Sequence, residues 1–533
     1  MGSRYGILYW PAYAVWVVGL LGVARRINQE VPEPYMDEIF HMPQAQAYCR
    51  GEWSYWDTAI TTPPGLYLVP AVLSRLLSQV APAFSAWPCS LDALRFFNLI
   101  LLAFLPMLYT ALLVSIQSAT FSLDALRLKS RKKAHRAKQI ESARWEGLVI
   151  ALMPVVGWWA WLYYTDLGSV MTVLASYKLS LDKRYLKSSL LGALSLLFRQ
   201  TNIVWIAFIA GLAIVTRLRE SSENRLYDPL LSAARPIDLV RTPCSVIHLS
   251  LFNLRAISRI VLAYLPIFIG FLLFVVLNGG IVLGDKSNHQ VTLHVVQVYY
   301  FIAFSAVFTS PLLVGPSPSA AMKRIKKTLA MLTGSPMRLL ASIVVMTVMA
   351  WTVRHFTIAH AFLLADNRHY SFYLWRRIIN LNPVSRYLLV PGYLFAATLI
   401  YRKLVDSHHM RVSSLVLFTV STILVLVPTP LIEPRYFLVP FLILRLHLSP
   451  SALVAPDSNP SHARRKTALS SRQWKLVLEA GLYVIVHLTT LWLFLEKSFE
   501  WTWDPTRTNE AGGGGGAPER DPRELGKKQR FMW

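Results

Sequence analysis

Two adjacent carboxylates open the chemistry within reach of this chain. They stand in Pro34-Tyr35-Met36-Asp37-Glu38-Ile39-Phe40-His41, directly after a first apolar run. The same stretch continues with Gly51-Glu52-Trp53-Ser54-Tyr55-Trp56-Asp57 and then Thr61-Thr62-Pro63-Pro64-Gly65-Leu66-Tyr67. Cations collect in other short polar loops. These are Gly284-Asp285-Lys286-Ser287-Asn288-His289, Asp366-Asn367-Arg368-His369-Tyr370 ahead of Trp375-Arg376-Arg377, and Glu433-Pro434-Arg435-Tyr436-Phe437. Arg199 stands in Phe198-Arg199-Gln200-Thr201-Asn202, between two apolar stretches.

Adjacent acids at a membrane surface can supply a general base. Arg, Lys and His can hold a phosphate, Arg through two parallel hydrogen bonds. Trp and Tyr interleaved with acids suit stacking on sugar faces. On that chemistry Asp37 and Glu38 are the catalytic candidates, and Arg435, Arg368, His369, Lys286 and Arg199 the phosphate ligands. His41, Trp56, Asp57, Thr61, Asp366, Glu433 and Tyr436 are the groups for sugar or acceptor. The set matches an enzyme that takes a sugar from a phosphate-linked carrier in a membrane. Plainer readings stand beside it. Asp37 and Glu38 can be solvated loop acids, Trp53 and Trp56 interface anchors, Asp285 and Lys286 a local ion pair, and Arg435 a snorkelling cation. Arg199 is the stronger signal, because a charge at membrane depth is costly and usually functional. His41, His289 and His369 have no neighbours that make a specific ligand pattern, so no metal is expected.

The elements that must position these loops are membrane spans. The 533 residues carry 54 Lys and Arg against 29 Asp and Glu, a formal charge of +25, yet 16% are charged and 54% hydrophobic. Soluble domains average about 25% charged residues, so the balance excludes a disordered chain and argues against a soluble globular enzyme. Nucleic-acid binders place their charge on a polar face. Here it comes in short blocks between long apolar runs, the pattern of a polytopic membrane protein with basic cytoplasmic loops. Runs long enough to cross lie near 5–24, 93–117, 147–165, 260–282, 293–314, 338–360, 384–401, 412–428 and 475–495. Shorter or interrupted runs lie near 64–80, 167–181, 188–198, 202–216 and 434–447. The first run lacks a small-residue cleavage site and reads as an uncleaved span.

Basic blocks at 127–138, 183–187, 217–225, 323–327, 402–403 and 464–466 set the sides. Keeping 127–138 cytoplasmic forbids a crossing at 64–80, which follows Thr61-Thr62-Pro63-Pro64-Gly65 and holds Arg75. That run is therefore expected to be an interfacial helix. The same counting makes 188–216 two short helices broken at 198–202. The result is an all-α protein of about 13 spans with a cytoplasmic N-terminus. Residues 1–496 form the membrane domain, with a large first non-cytoplasmic loop at 25–92 and cytoplasmic loops at 118–146, 217–259, 315–337 and 448–474. A non-cytoplasmic tail at 497–533 contains the flexible run Gly512–Gly516. Cys49 and Cys89 share the first loop, where a disulfide is open to them, but two unrelated thiols are the default reading.

MDEIFHMPQAQAYCRGEWSYWDTAITTPPGLY, LFRQTN, GDKSNHQ, LLADNRHYSFYLWRR, LIEPRYF and the terminal RFMW resemble the dolichyl-phosphate-glucose-dependent α-1,2-glucosyltransferases of the endoplasmic reticulum. That family performs the last glucosylation of the lipid-linked oligosaccharide used in asparagine-linked glycosylation. The resemblance covers essentially the whole chain and departs at 124–146, 450–472 and the glycine-rich tail. It implies a GT-C glycosyltransferase fold in the endoplasmic reticulum membrane with a lumenal site. It also implies dolichyl β-D-glucosyl phosphate as donor and the diglucosylated dolichyl-diphosphate oligosaccharide as acceptor. The product gains a third, α-1,2-linked glucose by inversion. Asp37 takes the position of the family's first-loop catalytic acid, with Glu38 beside it. Glu433-Pro434-Arg435-Tyr436 is similar to the Glu-x-Arg-aromatic element that related lipid-dependent mannosyltransferases place at the carrier phosphate. No obligatory cofactor and no nucleic-acid partner are implied. A dolichyl-phosphate-mannose-dependent transferase is the alternative that topology does not separate. A transporter or scramblase predicts polar residues deep within spans and paired broken helices, whereas here polar residues gather at one face.

Overall fold

A computed structural model describes residues 4–121, 129–221, 226–286, 291–407, 410–449, 462–500 and 528–533. They are helical almost throughout, with one short strand pair, Phe499–Glu500 against Lys528–Gln529. Among them seven helices are long and apolar enough to cross a membrane: Leu8–Glu30, Leu91–Ser118, Asn202–Ser221, Leu254–Asn278, Pro336–Phe356, Ser385–Asp406 and Gln473–Glu496. Gly65–Val80, Gln297–Phe308 and Val412–Leu426 are shorter apolar helices. The chain is an all-α, multi-pass membrane protein.

Charge sorts to the two ends of the bundle. At one end Lys183 pairs with Glu220 at 2.8 Å and Arg324 with Asp406 at 3.2 Å. There Arg219 and the Ser413 hydroxyl both hold Asp228, at 2.6 and 2.8 Å. These are the basic turns singled out by the positive-inside pattern. At the other end the loops of the candidate residues meet. The Gln200 side chain donates to the Thr61 carbonyl at 2.7 Å, and the Asp285 N–H to the Thr58 carbonyl at 2.8 Å. Arg127, Arg225, Ser287, Asn288, His289 and Gly512–Gly516 lie outside the described residues, as does 450–461 within the loop expected at 448–474.

The helix Gly65–Val80 starts where the Thr-Thr-Pro-Pro stretch forces an extended approach. It buries Leu66, Tyr67 and Ala71 and exposes Val72, Leu73, Leu76 and Val80, a surface suited to a membrane interface. Its first residue touches the break between Tyr185–Leu196 and Asn202–Ser221. The Gly65 N–H donates to the Leu197 carbonyl at 2.8 Å, and a Cβ on Gly65 would stand 2.6 Å from that oxygen. Only glycine permits this approach.

Where apolar runs promised single spans, proline divides two of them. The run near 147–165 is helical to Ala151, then Pro154 opens the single turn Pro154–Trp158, and the backbone runs irregularly to Asp166. Buried irregular backbone needs hydrogen-bond partners. Asn98 supplies them, its amide donating to the Leu162 and Tyr164 carbonyls at 2.8 and 2.9 Å. The run near 293–314 is two pieces, Gln297–Phe308 and Ser310–Val314, with Pro311 beginning the second. The loops expected on the cytoplasmic side hold more helix than the sequence suggested. Residues 217–259 contain Asp238–Phe252, residues 315–337 contain Pro318–Thr333, and residues 118–146 are helical from Lys129. These helices mix charge with apolar residues, so no continuous run marked them.

Two covalent or ionic ties close the bundle. Arg445, fully buried, donates to Glu479 twice at 2.8 Å and to Glu146 at 3.1 Å, and the Ser449 hydroxyl donates to Glu146 at 2.8 Å. Charges at such depth persist only when fully paired. Cys49 and Cys89 form a disulfide rather than two unrelated thiols. They meet because Glu38–Arg50 and the turn Trp87–Cys89 both pack on Gly65–Val80, a contact that spacing in sequence does not reveal.

Candidate active site

The first helix, Arg4–Glu30, hands the chain to a loop organised by one buried cation. Arg95, on Leu91–Phe121, donates to the Asn28 side chain and to the Val31 and Glu33 carbonyls at 3.1, 2.8 and 3.1 Å. It grips Glu38 through Nε at 3.0 Å and Nη2 at 2.6 Å. Glu38 also accepts the N–H groups of Tyr35 at 3.0 Å and Tyr163 at 2.7 Å. Its carboxylate is fully buried with both oxygens occupied. Of the two adjacent acids, Glu38 is therefore taken up by the folding of the loop, whereas Asp37 stays partly exposed. Breaking a buried ion pair from one side costs about 3–5 kcal/mol. Arg95→Ala is therefore expected to lower the unfolding temperature and membrane-extracted yield severely, as fluorescence-detected melting would register.

Met36, with φ 55°, turns the chain just before Asp37. Left-handed backbone at a non-glycine residue is held only where surroundings fix it. The Asp37 N–H donates to the Tyr164 hydroxyl at 3.1 Å, and its Oδ2 accepts from Arg435 Nη1 at 3.1 Å, across 398 positions of sequence. The Asp37 side chain keeps 41% of its surface exposed, whereas Arg435 keeps 18%. Arg435 Nε donates to Glu433. Its guanidinium lies 5.5, 5.8 and 5.7 Å from the ring centres of Trp159, Tyr164 and Tyr436. Arg199, released by the helix break at 197–201, stands 5.4 Å from the ring centre of Tyr436 and pairs with Asp166 at 2.8 Å.

The electrostatics follow from that geometry. Burial pushes the Asp37 carboxyl up, but Arg435, followed by the neighbouring His41 and His369, together hold the group below the ordinary carboxylate range. Burial drives His41 down to about 4 against the pull of Asp37, so its ring is neutral near pH 7. His41 Nδ1 lies 2.6 Å from the Tyr67 hydroxyl. Burial would lower Arg435, but Glu433 and Asp37 raise it and keep it charged.

The other candidates divide. Asp37, His41, Arg199, Glu433, Arg435 and Tyr436 are brought together. Arg368 makes a two-bond pair with Asp366 at 2.8 Å each, so both serve the loop that carries them. His369 Nδ1 lies 3.0 Å from the Trp533 carbonyl oxygen. Lys286 is exposed and donates to the Asn278 carbonyl at the end of Leu254–Asn278. Trp56 packs its ring edge on Tyr67 at 6.3 Å, Asp57 accepts the Ala59 N–H at 2.9 Å, and the Thr61 carbonyl anchors neighbouring loops. Sequence reasoning missed Trp159, Tyr164 and Asp166, hidden inside apolar runs. The signal was there in Pro154 and Gly157, which mark the helix stop just before the aromatic cluster.

Helices that cross a membrane and a carboxylate–guanidinium pair held by loops define a polytopic membrane protein with a charged loop cluster. The model of the DIE2/ALG10 family matches residues 31–446, and the chain belongs to that family. It is 33% identical over 515 residues to a rat protein named Dol-P-Glc:Glc(2)Man(9)GlcNAc(2)-PP-Dol alpha-1,2-glucosyltransferase, covering 95% of this chain and 94% of the relative. Proteins of the same name from human and Arabidopsis thaliana are 35% and 32% identical, covering 89% and 92% of this chain and 92% and 96% of theirs. No solved structure matches.

Proposed function

We infer that this chain is a dolichyl-phosphate-glucose-dependent α-1,2-glucosyltransferase. It moves glucose from the dolichyl phosphate carrier to the diglucosylated, dolichyl-diphosphate-linked oligosaccharide. A mannosyl donor is not favoured, since the relatives are named for a glucosyl donor and acceptor. The observation that carries the mechanism is the 3.1 Å contact between Asp37 and Arg435, an acid and a cation that lie 398 positions apart in the sequence.

The β-linked donor and α-linked product call for inversion, a single in-line displacement without a covalent enzyme intermediate. Asp37 takes the proton of the acceptor 2-hydroxyl as its oxygen bonds to C1 of glucose and the C1–O bond to phosphate breaks. Arg435 holds the departing phosphate, with Arg199 next across Tyr436. Asp37 accepts from Arg435 Nη1. A donor phosphate arriving there displaces the carboxylate and frees it as a base. His41, neutral, hydrogen-bonds a sugar hydroxyl, while Trp56, Asp57 and Thr61 shape the wall. Side-chain cations suffice for a phosphate monoester leaving group, so transfer is expected to persist in a chelator.

The bundle is read as GT-C-type, with about 13 crossings once short helices are counted. Its site lies opposite the basic turns, which makes it lumenal in the endoplasmic reticulum. The disulfide at that end agrees, because disulfides persist in oxidising compartments. Before reduction, denatured protein should take one maleimide, on Cys244, and after reduction three. Three labels without reductant would remove this support.

The decisive assay combines purified protein, synthetic donor and the diglucosylated acceptor in EDTA. Linkage analysis should find one new α-1,2-glucose with the glucosyl donor and none with the mannosyl donor. No product, or mannose transfer, would overturn the reading.

A further inference from the structure

The segment 528–533 is threaded into the site end of the bundle. Met532 is wholly buried and Arg530 nearly so. One side of the segment pairs with a loop. The Met532 N–H donates to the Arg368 carbonyl and the Tyr370 N–H to the Met532 carbonyl, both at 2.8 Å. The Arg368 guanidinium also donates to the Gln529 side chain at 2.9 Å.

The other side holds the first loop. The Tyr35 hydroxyl donates to the Arg530 carbonyl at 2.6 Å and accepts its N–H at 2.9 Å. The Arg530 guanidinium donates to the Phe494, Leu495 and Glu30 carbonyls at 2.7, 2.8 and 3.0 Å. Those are the unsatisfied carbonyl ends of the last and first helices, where a cation is favoured. Tyr35 lies two residues before Asp37, and its own N–H bonds Glu38. The Tyr35 ring meets Phe494 at 5.7 Å, and its hydroxyl adds the bonds to Arg530.

We propose that Tyr35 and Arg530 are positioning residues, through which the 528–533 segment straps the first loop to the 366–370 loop and sets Asp37 against the reacting carbon. This rests on Asp37 being the base. A displacement of about 1 Å at a reacting group can cost roughly a hundredfold in rate, so a partly loosened loop should cost about tenfold.

The test compares Tyr35→Phe, Arg530→Lys and Arg530→Ala in the full-length enzyme with dolichyl-phosphate glucose and the diglucosylated acceptor. Tyr35→Phe keeps the ring and removes both hydroxyl bonds. It should lower kcat about tenfold, leave both KM values within about twofold and keep the unfolding temperature near that of the wild type. Arg530→Lys should fall between Arg530→Ala and wild type. Wild-type kcat per folded molecule in Tyr35→Phe, or a loss confined to KM, overturns the proposal. If Arg530→Ala does not fold, Tyr35→Phe decides alone. A wild-type enzyme that makes no product fails the functional reading instead, so the two failures are distinguishable.

Discussion

Asp37→Ala is expected to lower glucose transfer by roughly a thousandfold, the scale of a lost general base, with the protein still inserted and still binding donor. The fold supplies the reason for a clean loss. Glu38, the neighbour that sequence offers as a substitute, is locked by Arg95 and two backbone N–H groups and cannot swing into the cleft. Asp37→Asn should be nearly as inactive, since it keeps the shape and loses the basicity. Near-normal turnover in either variant would end the assignment.

The same residue gives a signed pH dependence. A base works only when deprotonated, and Asp37 titrates below the ordinary carboxylate range because Arg435 faces it. Activity limited by free enzyme, kcat/KM, should therefore persist to lower pH than an ordinary carboxylate base would allow. In the donor complex the phosphate neutralises Arg435, so the carboxyl rises and the acid limb of kcat should lie at higher pH. Coincident acid limbs would show that phosphate does not take Arg435 from Asp37.

Much of this was legible before any coordinates. Thr61-Thr62-Pro63-Pro64 announced the extended entry to the helix Gly65–Val80, and the helices on either side of 198–202 break where the charge count required. Asp37 and Arg435 stood out by type and loop position. What stayed hidden depended on long-range contact. Nothing near Glu38 in sequence shows that Arg95 will claim it, and Cys49 meets Cys89 only through a shared helix. Trp159 and Tyr164 meet Arg435 from what reads as an unbroken apolar span, because the helix stop is set by Pro154 and stabilised by distant Asn98. The cations were the least resolved group. Lys286 and Arg368 have the right charge for phosphate, but each is directed to a local partner.

Arg435 carries the second large effect. Its guanidinium serves Glu433 through Nε and Asp37 through Nη1 while three aromatic rings surround it, an arrangement that needs a planar fork rather than a point charge. Arg435→Ala removes the group proposed to hold the leaving phosphate, a loss expected to be worth about a hundred- to a thousandfold in rate, as when a preorganised donor is deleted. It should also raise donor KM more than acceptor KM, because the phosphate belongs to the donor contact. The variant leaves Asp37 and Glu433 without their shared cation, so the Asp37 carboxyl rises and the acid limb of kcat/KM moves up in pH. Arg435→Lys restores charge but not the two directed bonds, and should recover part of the pH shift with less of the rate. Steady-state kinetics at varied donor concentration, repeated across pH, separate these outcomes. An unchanged donor KM and rate would exclude Arg435 from the phosphate, and an unmoved acid limb would mean that burial rather than this guanidinium governs Asp37.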